Sequence, residues 1–400
     1  MAKRSSLSIL HDCCMTNACQ VTDGRLECRL SESHPTVPNC VFMTQRLPVI
    51  DALKGIASQL IVMHHLAFYG PMSEVVSPFL GGVVGWLSAN GRIAVQVFLV
   101  LGGYMAARAL GPQGRANFGS PLPVMIRRYL RLSIPYAVAI GVAIIAAAIA
   151  RHWADFDSIP AKPSLHQLFA NLLMLQNIVG QDSLSAGLWY IAIDLQLYCS
   201  LTALLWLASR RSGRWLAPTL TAIGMTASLF YFNREAAFDI WGIYFFGSYG
   251  LGALTWWVTT SKRPVTMATL IGMIVVLALV LDFRSRIAVG LAVAALLFAS
   301  SLIRPSKRTE ASLTRVEQFV AWLGRISYSV FLVHYPVCLI INAGVTHFFA
   351  DNLLANGLGL ILALVASTLV GAGFHRHVEL RFSVRATRAP AGKEAMAATR

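Results

Sequence analysis

Two ionisable side chains lie eleven residues apart in one apolar segment, Lys54 and His65 in DALKGIASQLIVMHH. In an α-helix this spacing is close to three turns, so both side chains share a face and lie about 16 Å apart along the axis. Imidazole titrates near neutral pH and suits a general base, whereas an ammonium group suits a phosphate. A lysine that reaches the membrane surface and histidines that cap the helix explain the same pattern equally well.

A second group of cations lies in RRYLRLSIP, where Arg128 and Arg131 are three residues apart and share a helix face. Arginine forks fit phosphates and carboxylates. Arginines that only fix membrane topology give the same pattern.

A carboxylate occurs in another apolar segment, LWYIAIDLQLY, at Asp194. A carboxylate at membrane depth is costly without a partner. The distribution of Lys and Arg in the loops places both Asp194 and His65 near the outer ends of their helices. The sequence therefore predicts that Asp194 orients His65. A structural ion pair or a neutral, protonated Asp194 is the alternative.

The elements that must position these groups are membrane helices. Apolar residues make up 56% of the chain and charged residues 13%, against about 25% in soluble domains. Mean hydropathy is +0.61, and apolar blocks of about 20 residues recur. The net charge of +15 lies largely in short connecting loops, which favours membrane topology over nucleic-acid binding.

The predicted fold is therefore all-α, a polytopic transmembrane helical bundle of about ten spans with both termini cytoplasmic. Two further stretches, 79–89 and 165–179, are interpreted as short re-entrant or interfacial pieces. The spans are predicted at 49–69, 91–110, 129–150, 187–208, 215–232, 238–258, 265–282, 286–303, 326–348 and 353–375.

Three regions are predicted along the chain: a disordered or spurious extension at 1–42, a transmembrane domain at 43–382 and a basic cytoplasmic tail at 383–400. Five cysteines precede the first span without paired CxxC spacing, so no metal site is predicted.

Five segments together resemble the acyltransferase-3 family of bacterial inner-membrane O-acyltransferases, over about residues 45–382. The first span resembles the family's basic-residue-x10-His motif. GRIAVQVFLVLGGY, RRYLRLSIP, LWYIAIDLQLY and LGRISYSVFLVHYP resemble four further motifs in the same order. Lys54 stands where Arg is commoner, Gly102 and Ala192 where Ser is usual, and Asp194 where Glu is usual.

The resemblance implies a membrane-bound O-acyltransferase of the bacterial inner membrane. It implies transfer of an acyl group, often acetyl from acetyl-CoA, to a hydroxyl of a surface or exported carbohydrate. Acyl-CoA is then a cosubstrate, no cofactor is bound permanently, and the partners are membrane lipids and a carbohydrate or lipid-linked acceptor, without nucleic acid.

Roles follow from the same resemblance. Lys54, Arg128 and Arg131 would hold the CoA phosphates. His65 would act as base or carry the acyl group, with Asp194 as its orienting partner. Supporting roles fall to residues within the motifs: Tyr104, Trp189, Tyr190, Gln196 and His334. From their own segments alone, Tyr104 suggests plain helix packing and His334 a buried structural histidine.

Two other functions stay open. A proton-coupled transporter or flippase for a small or lipid-linked anionic substrate would also use buried His and Asp, although the chain lacks the internal repeat typical of such carriers. A non-catalytic membrane partner that retained the fold is the third possibility.

Overall fold

The structure, a computed structural model, consists of a helical domain and a short N-terminal hairpin. It describes residues 19–22, 25–28, 48–211, 213, 215–303 and 314–382. The predicted tail, 383–400, lies outside the described residues.

The hairpin belongs to a separate unit, residues 1–47. β1 (Cys19–Thr22) pairs antiparallel with β2 (Arg25–Cys28), and Cys19 lies opposite Cys28 in the register. The sequence pattern did not predict these eight residues as strands, and the other residues of the expected extension lie outside the described part of the chain.

Every other regular element in the described residues is helical, which confirms the predicted helical bundle. The α-helices are α1 (Pro48–Phe68), α2 (Pro71–Asn90), α3 (Ala94–Leu110), α4 (Pro121–Trp153), α5 (Leu165–Leu172), α6 (Leu188–Ser209), α7 (Leu216–Phe230), α8 (Gly242–Thr259), α9 (Pro264–Leu281), α10 (Ser285–Leu302), α11 (Arg315–Phe349) and α12 (Leu353–Phe374). A 3₁₀ turn, Gly91–Ile93, joins α2 to α3, and a π-helical turn, His375–Glu379, follows α12.

By length and composition, the described chain contains seven segments able to cross a membrane, so the chain has the helices of a membrane protein. Helices α1, α7 and α8 are not among them, because α7 has only 15 residues and α1 and α8 carry more polar or glycine residues. The count of ten spans and the cytoplasmic termini stay predictions. The seven are Pro71–Leu110, Pro121–Trp153, Leu188–Ser209, Pro264–Leu281, Ser285–Leu302, Arg315–Phe349 and Leu353–Phe382.

Glycines bring α3 and α8 into backbone contact. A Cβ added at Gly103 would lie 1.8 Å from the Tyr249 carbonyl oxygen, and one at Gly252 would lie 1.9 Å from that of Val100. Only glycine permits such an approach, which is the usual device for tight helix pairs in membranes. The Ser248 hydroxyl donates to Gln96 Oε1 at 2.7 Å across the same contact.

Helix α11 is the centre on which α1, α4 and α12 pack. Gly324 lies against the backbone of Asp51 in α1, where a Cβ would be 2.3 Å from the carbonyl oxygen, and Gly371 of α12 lies against Val330. The α11 segment begins eleven residues before the predicted span, at a Thr314 capping box. One continuous helix therefore passes both groups of candidate residues.

The segment between α4 and α6 turns back along α4. The Arg151 guanidinium donates to the Pro160 carbonyl near the end of α4, whereas the Tyr129 hydroxyl donates to the Leu172 carbonyl near its start. Gln176 Nε2 then donates to the Tyr136 hydroxyl at 3.3 Å. Helix α6 therefore begins beside the N-terminal half of α4. The sequence had predicted that α6 begins at the C-terminal end of α4.

Candidate active site

Two histidines from α1 and α11 form a direct contact. His65 Nδ1 lies 2.6 Å from His334 Nε2, and the two rings are nearly coplanar, with centroids 4.9 Å apart and an interplanar angle of 12°. His65 is 7% exposed and His334 is fully buried. The structure thus brings a predicted catalytic residue together with a predicted supporting residue.

The neighbouring His64 has a different partner. Its Nδ1 lies 2.9 Å from the Leu87 carbonyl oxygen, a contact that ties α1 to α2. Gly91 packs on the same side chain, and a Cβ there would lie 2.6 Å from His64 Cβ. His64 is therefore part of the helix packing, while His65 faces α11.

Aromatic residues and one cation surround the histidine pair. Tyr69 and Tyr335 lie edge-on to His65, with centroids 5.4 and 6.2 Å away. The exposed Arg92 side chain lies over the Trp189 ring at 4.7 Å and is close enough to His65 to interact electrostatically. The sequence pattern did not predict a role for Arg92, although its place in GRIAVQV, at the start of a predicted span, was a usable signal. We call His65, His334, Tyr69, Tyr335 and Arg92 the histidine layer.

The second group of ionisable residues is built around an ion pair. Arg128 Nη2 of α4 lies 2.5 Å from Asp194 Oδ2 of α6, and the guanidinium also covers the Tyr198 ring at 4.9 Å. Lys54 of α1 is close enough to Arg128 and Arg131 to interact electrostatically. The three cations predicted to bind the donor therefore lie together.

Helix α11 and the turn after α12 complete this group. Ser329 donates to Glu379 Oε2 at 2.6 Å, and His375 Nδ1 lies 2.8 Å from the same oxygen. Glu379 is also in electrostatic range of Lys54. The buried Tyr328 hydroxyl has no hydrogen-bond partner among the described residues, although Arg128, Asp194 and Glu379 are near it.

We call Lys54, Arg128, Arg131, Asp194, Glu379 and Tyr328 the charged layer. Glu379 is close in sequence to Arg376, His377 and Arg381, a pattern typical of a solvated charge cluster. In the structure its side chain is 20% exposed and accepts a hydrogen bond from Ser329 of α11. Nothing in the local pattern of either segment pointed to the contact between Glu379 and Ser329, which are 50 residues apart.

The two layers are separated along α3 and the 3₁₀ turn that precedes it. Gly91 packs on His64, and Gly102, eleven residues later, packs on Asp194, where a Cβ would lie 3.3 Å from Oδ1. Eleven helical residues rise about 16 Å. The uninterrupted helix α1 sets the same separation between Lys54 and His65.

The predicted pairing of Asp194 with His65 is therefore wrong. Asp194 pairs with Arg128, and His65 pairs with His334. The physical reason is the segment that turns back along α4, because it starts α6 beside Phe331: a Cβ at Gly187 would lie 3.1 Å from the Phe331 carbonyl oxygen. Asp194 lies about two helical turns beyond Gly187 and therefore passes His65 and reaches Arg128.

The other predicted supporting residues occupy packing positions. Tyr190 lies between Phe98 and Phe331, with centroids 6.1 and 5.3 Å away, and so adjoins the histidine pair through Phe331. Tyr104 is buried edge-on to Trp256. Gln196 Oε1 accepts from the Gly242 N–H at 2.8 Å.

Within the described part of the chain, no three His, Cys, Asp or Glu side chains are grouped to hold a metal ion. The expectation that the chain has no metal site stays a prediction.

Comparison with known proteins identifies a family. The sequence model described as an acyltransferase domain, of the acyltransferase-3 type, matches residues 47–375. No curated protein and no solved structure matches the chain. The matched range contains every residue of the histidine layer and all of the charged layer except Glu379.

Proposed function

Because the chain belongs to the acyltransferase-3 family, we propose that it transfers an acetyl group from acetyl-CoA to a hydroxyl of a surface or exported carbohydrate. The proposed location is the bacterial inner membrane. The observation that carries the proposal concerns Lys54, which has Arg128 and Arg131 in electrostatic range. Lys54 lies about 16 Å from His65 along α1.

The charged layer supplies the donor's binding site in this proposal. Coenzyme A carries phosphates at one end and its thioester at the other, joined by an extended arm. Lys54, Arg128 and Arg131 would bind the phosphates, since arginine forks and lysine ammonium groups both suit them. The arm would then extend along α1 and place the thioester at the histidine layer.

His65 carries the chemistry at the other end. Its imidazole would take the proton of the acceptor hydroxyl while the oxygen attacks the thioester carbonyl. The C–O bond forms, the C–S bond breaks, and the CoA thiolate leaves and takes up the proton. In the alternative order, His65 first accepts the acetyl group and then passes it to the hydroxyl.

The hypothesis that the chain is a transporter has less support than acyl transfer. Buried ionisable residues suit a proton-coupled carrier as well as an enzyme, but the family match supports acyl transfer. Consumption of acetyl-CoA by purified protein separates the two, because a carrier has no thioester chemistry.

The test uses full-length protein in nanodiscs with radiolabelled acetyl-CoA and a carbohydrate fraction from the source strain. Wild type should release free CoA and label the carbohydrate. His65→Ala should abolish labelling, whereas the matched variant His64→Ala should keep much of it, because His64 Nδ1 is engaged with the Leu87 carbonyl oxygen of α2. Absence of CoA release by folded wild type, or the reverse ranking of the two variants, would contradict the proposal.

A further inference from the structure

We propose that His334 is the positioning residue for His65: it accepts the proton of His65 Nδ1 and thereby fixes Nε2 as the basic atom. The inference deepens the proposed function and rests on it. It gives His334 the role that the sequence had assigned to Asp194.

The backbone of α11 determines where His334 carries its proton. His334 Nδ1 lies 3.1 Å from the Val330 carbonyl oxygen and 2.9 Å from that of Phe331. Carbonyl oxygens only accept hydrogen bonds, so Nδ1 must be the N–H donor. A neutral imidazole has one N–H, and His334 Nε2 therefore presents a lone pair.

That lone pair determines the tautomer of His65. His65 Nδ1 lies 2.6 Å from His334 Nε2, and one of the two nitrogens must donate. Because Nε2 of His334 has no proton, His65 Nδ1 carries it. The lone pair of His65 is then on Nε2, which makes no hydrogen bond to another described residue and is the atom left for the substrate.

Burial keeps this arrangement fixed. His334 is fully buried, and its ring is nearly coplanar with that of His65 and tilted against Phe331 with a centroid distance of 6.0 Å. Rotation of either ring would leave a buried N–H or lone pair without a partner, which costs free energy. The pair is thus assembled before substrate binds.

The same contact acts after proton transfer. When His65 Nε2 takes the hydroxyl proton, the imidazolium keeps its Nδ1–H bonded to His334 Nε2. A hydrogen bond from a charged donor is stronger than one from a neutral donor. His334 therefore stabilises the charge that forms on His65, as the third member of a catalytic triad does for its histidine.

Two amide variants test the role. In His334→Gln the side-chain amide reaches the position of Nε2 and presents an oxygen to His65 Nδ1. In the matched control His334→Asn the shorter amide reaches only the position of Nδ1, so it satisfies the backbone carbonyls but leaves His65 Nδ1 without an acceptor. We expect His334→Gln to keep at least a tenth of the wild-type kcat and His334→Asn to lose about a hundredfold or more.

We expect the two variants to differ from each other in kcat. The KM for acetyl-CoA should stay within about threefold of wild type for both, since the phosphates bind at the charged layer. Equal kcat values for folded Gln and Asn variants, or a loss confined to KM, would overturn the inference while leaving acyl transfer intact. If wild type itself releases no CoA, the proposed function fails instead.

A second measurement does not use the His334 variants. Solid-state ¹⁵N spectra of histidine-labelled protein distinguish protonated from unprotonated ring nitrogens, and a His65→Ala sample assigns the His65 signals by difference. We expect His65 to be protonated at Nδ1 and unprotonated at Nε2. The opposite tautomer would overturn the inference even if the variants failed to fold.

Discussion

The carboxylate of Asp194 and the guanidinium of Arg128 lie 2.5 Å apart and join α6 to α4. The Asp194 side chain is 10% exposed and that of Arg128 26%. Loss of one partner leaves a largely buried charge unpaired, which is destabilising. Loss of both partners leaves no unpaired charge and should destabilise less. The pair is therefore a structural tie as well as part of the proposed donor site.

This relationship predicts coupling between the two positions. Arg128→Gln and Asp194→Asn should each lower the melting temperature in detergent, and the double variant should lose less than the sum, with a coupling free energy of about 0.5–3 kcal/mol. Asp194→Asn should also raise the KM for acetyl-CoA more than it lowers kcat, because Asp194 is in the charged layer. Additive losses of stability, or a pure kcat effect, would show that the contact does not act as described.

Tyr328 offers a variant that separates binding from folding. Its buried hydroxyl has no partner among the described residues, so Tyr328→Phe should leave the melting temperature within about a degree of wild type. We expect the KM for acetyl-CoA to rise several-fold, because the hydroxyl is free to bond a donor phosphate beside Arg128. Tyr136→Phe is the control: it removes the hydrogen bond with Gln176 and should cost stability without that KM effect. An unchanged KM for Tyr328→Phe would remove the hydroxyl from the donor site.

Arg92 should contribute to the reaction through its charge. It lies in electrostatic range of His65, and negative charge develops on the thioester oxygen as the hydroxyl attacks. Arg92→Gln should therefore lower kcat about tenfold or more. Arg108→Gln is a matched control, since Arg108 also lies over a tryptophan, Trp256, at 5.5 Å. Similar small effects in both variants, measured as acetyl transfer, would assign Arg92 to topology alone.

The glycine contact between α3 and α8 should dominate the stability of that pair. Gly103→Ala forces a methyl group into the Tyr249 carbonyl and should destabilise the protein by about 1–3 kcal/mol or more. Gly141→Ala and Gly272→Ala meet no atom within 4 Å and should be neutral or slightly stabilising, because alanine favours a helix. Thermal unfolding in detergent measures all three, and equal melting temperatures would contradict the packing.

Relationships within one helix were predictable from the sequence. Lys54 and His65 are on one uninterrupted helix, so their spacing alone determined their shared face and separation. Arg128 and Arg131 were predictable for the same reason. The helical class followed from the length and apolarity of the segments, which a helix needs in order to span lipid.

Relationships between helices were not predictable in the same way. The level of Asp194 depends on where α6 begins, and that is determined by the path of the connection from α4. Hydropathy indicates which segments are apolar but not how far a connection re-enters the bundle. Glu379 and His334 were missed or given lesser roles because each has its partner in a segment distant in sequence.

The continuity of α11 constrains how this sequence can change. Tyr328 and Ser329 serve the charged layer and His334 serves the histidine layer, all on one helix of 35 residues. A single residue inserted between Ser329 and His334 would rotate everything beyond it by about 100° and shift it by 1.5 Å. Insertions and deletions should therefore be absent from this stretch among active homologues, whereas α9, which is mostly exposed on the outside of the bundle, should vary in length as well as in sequence.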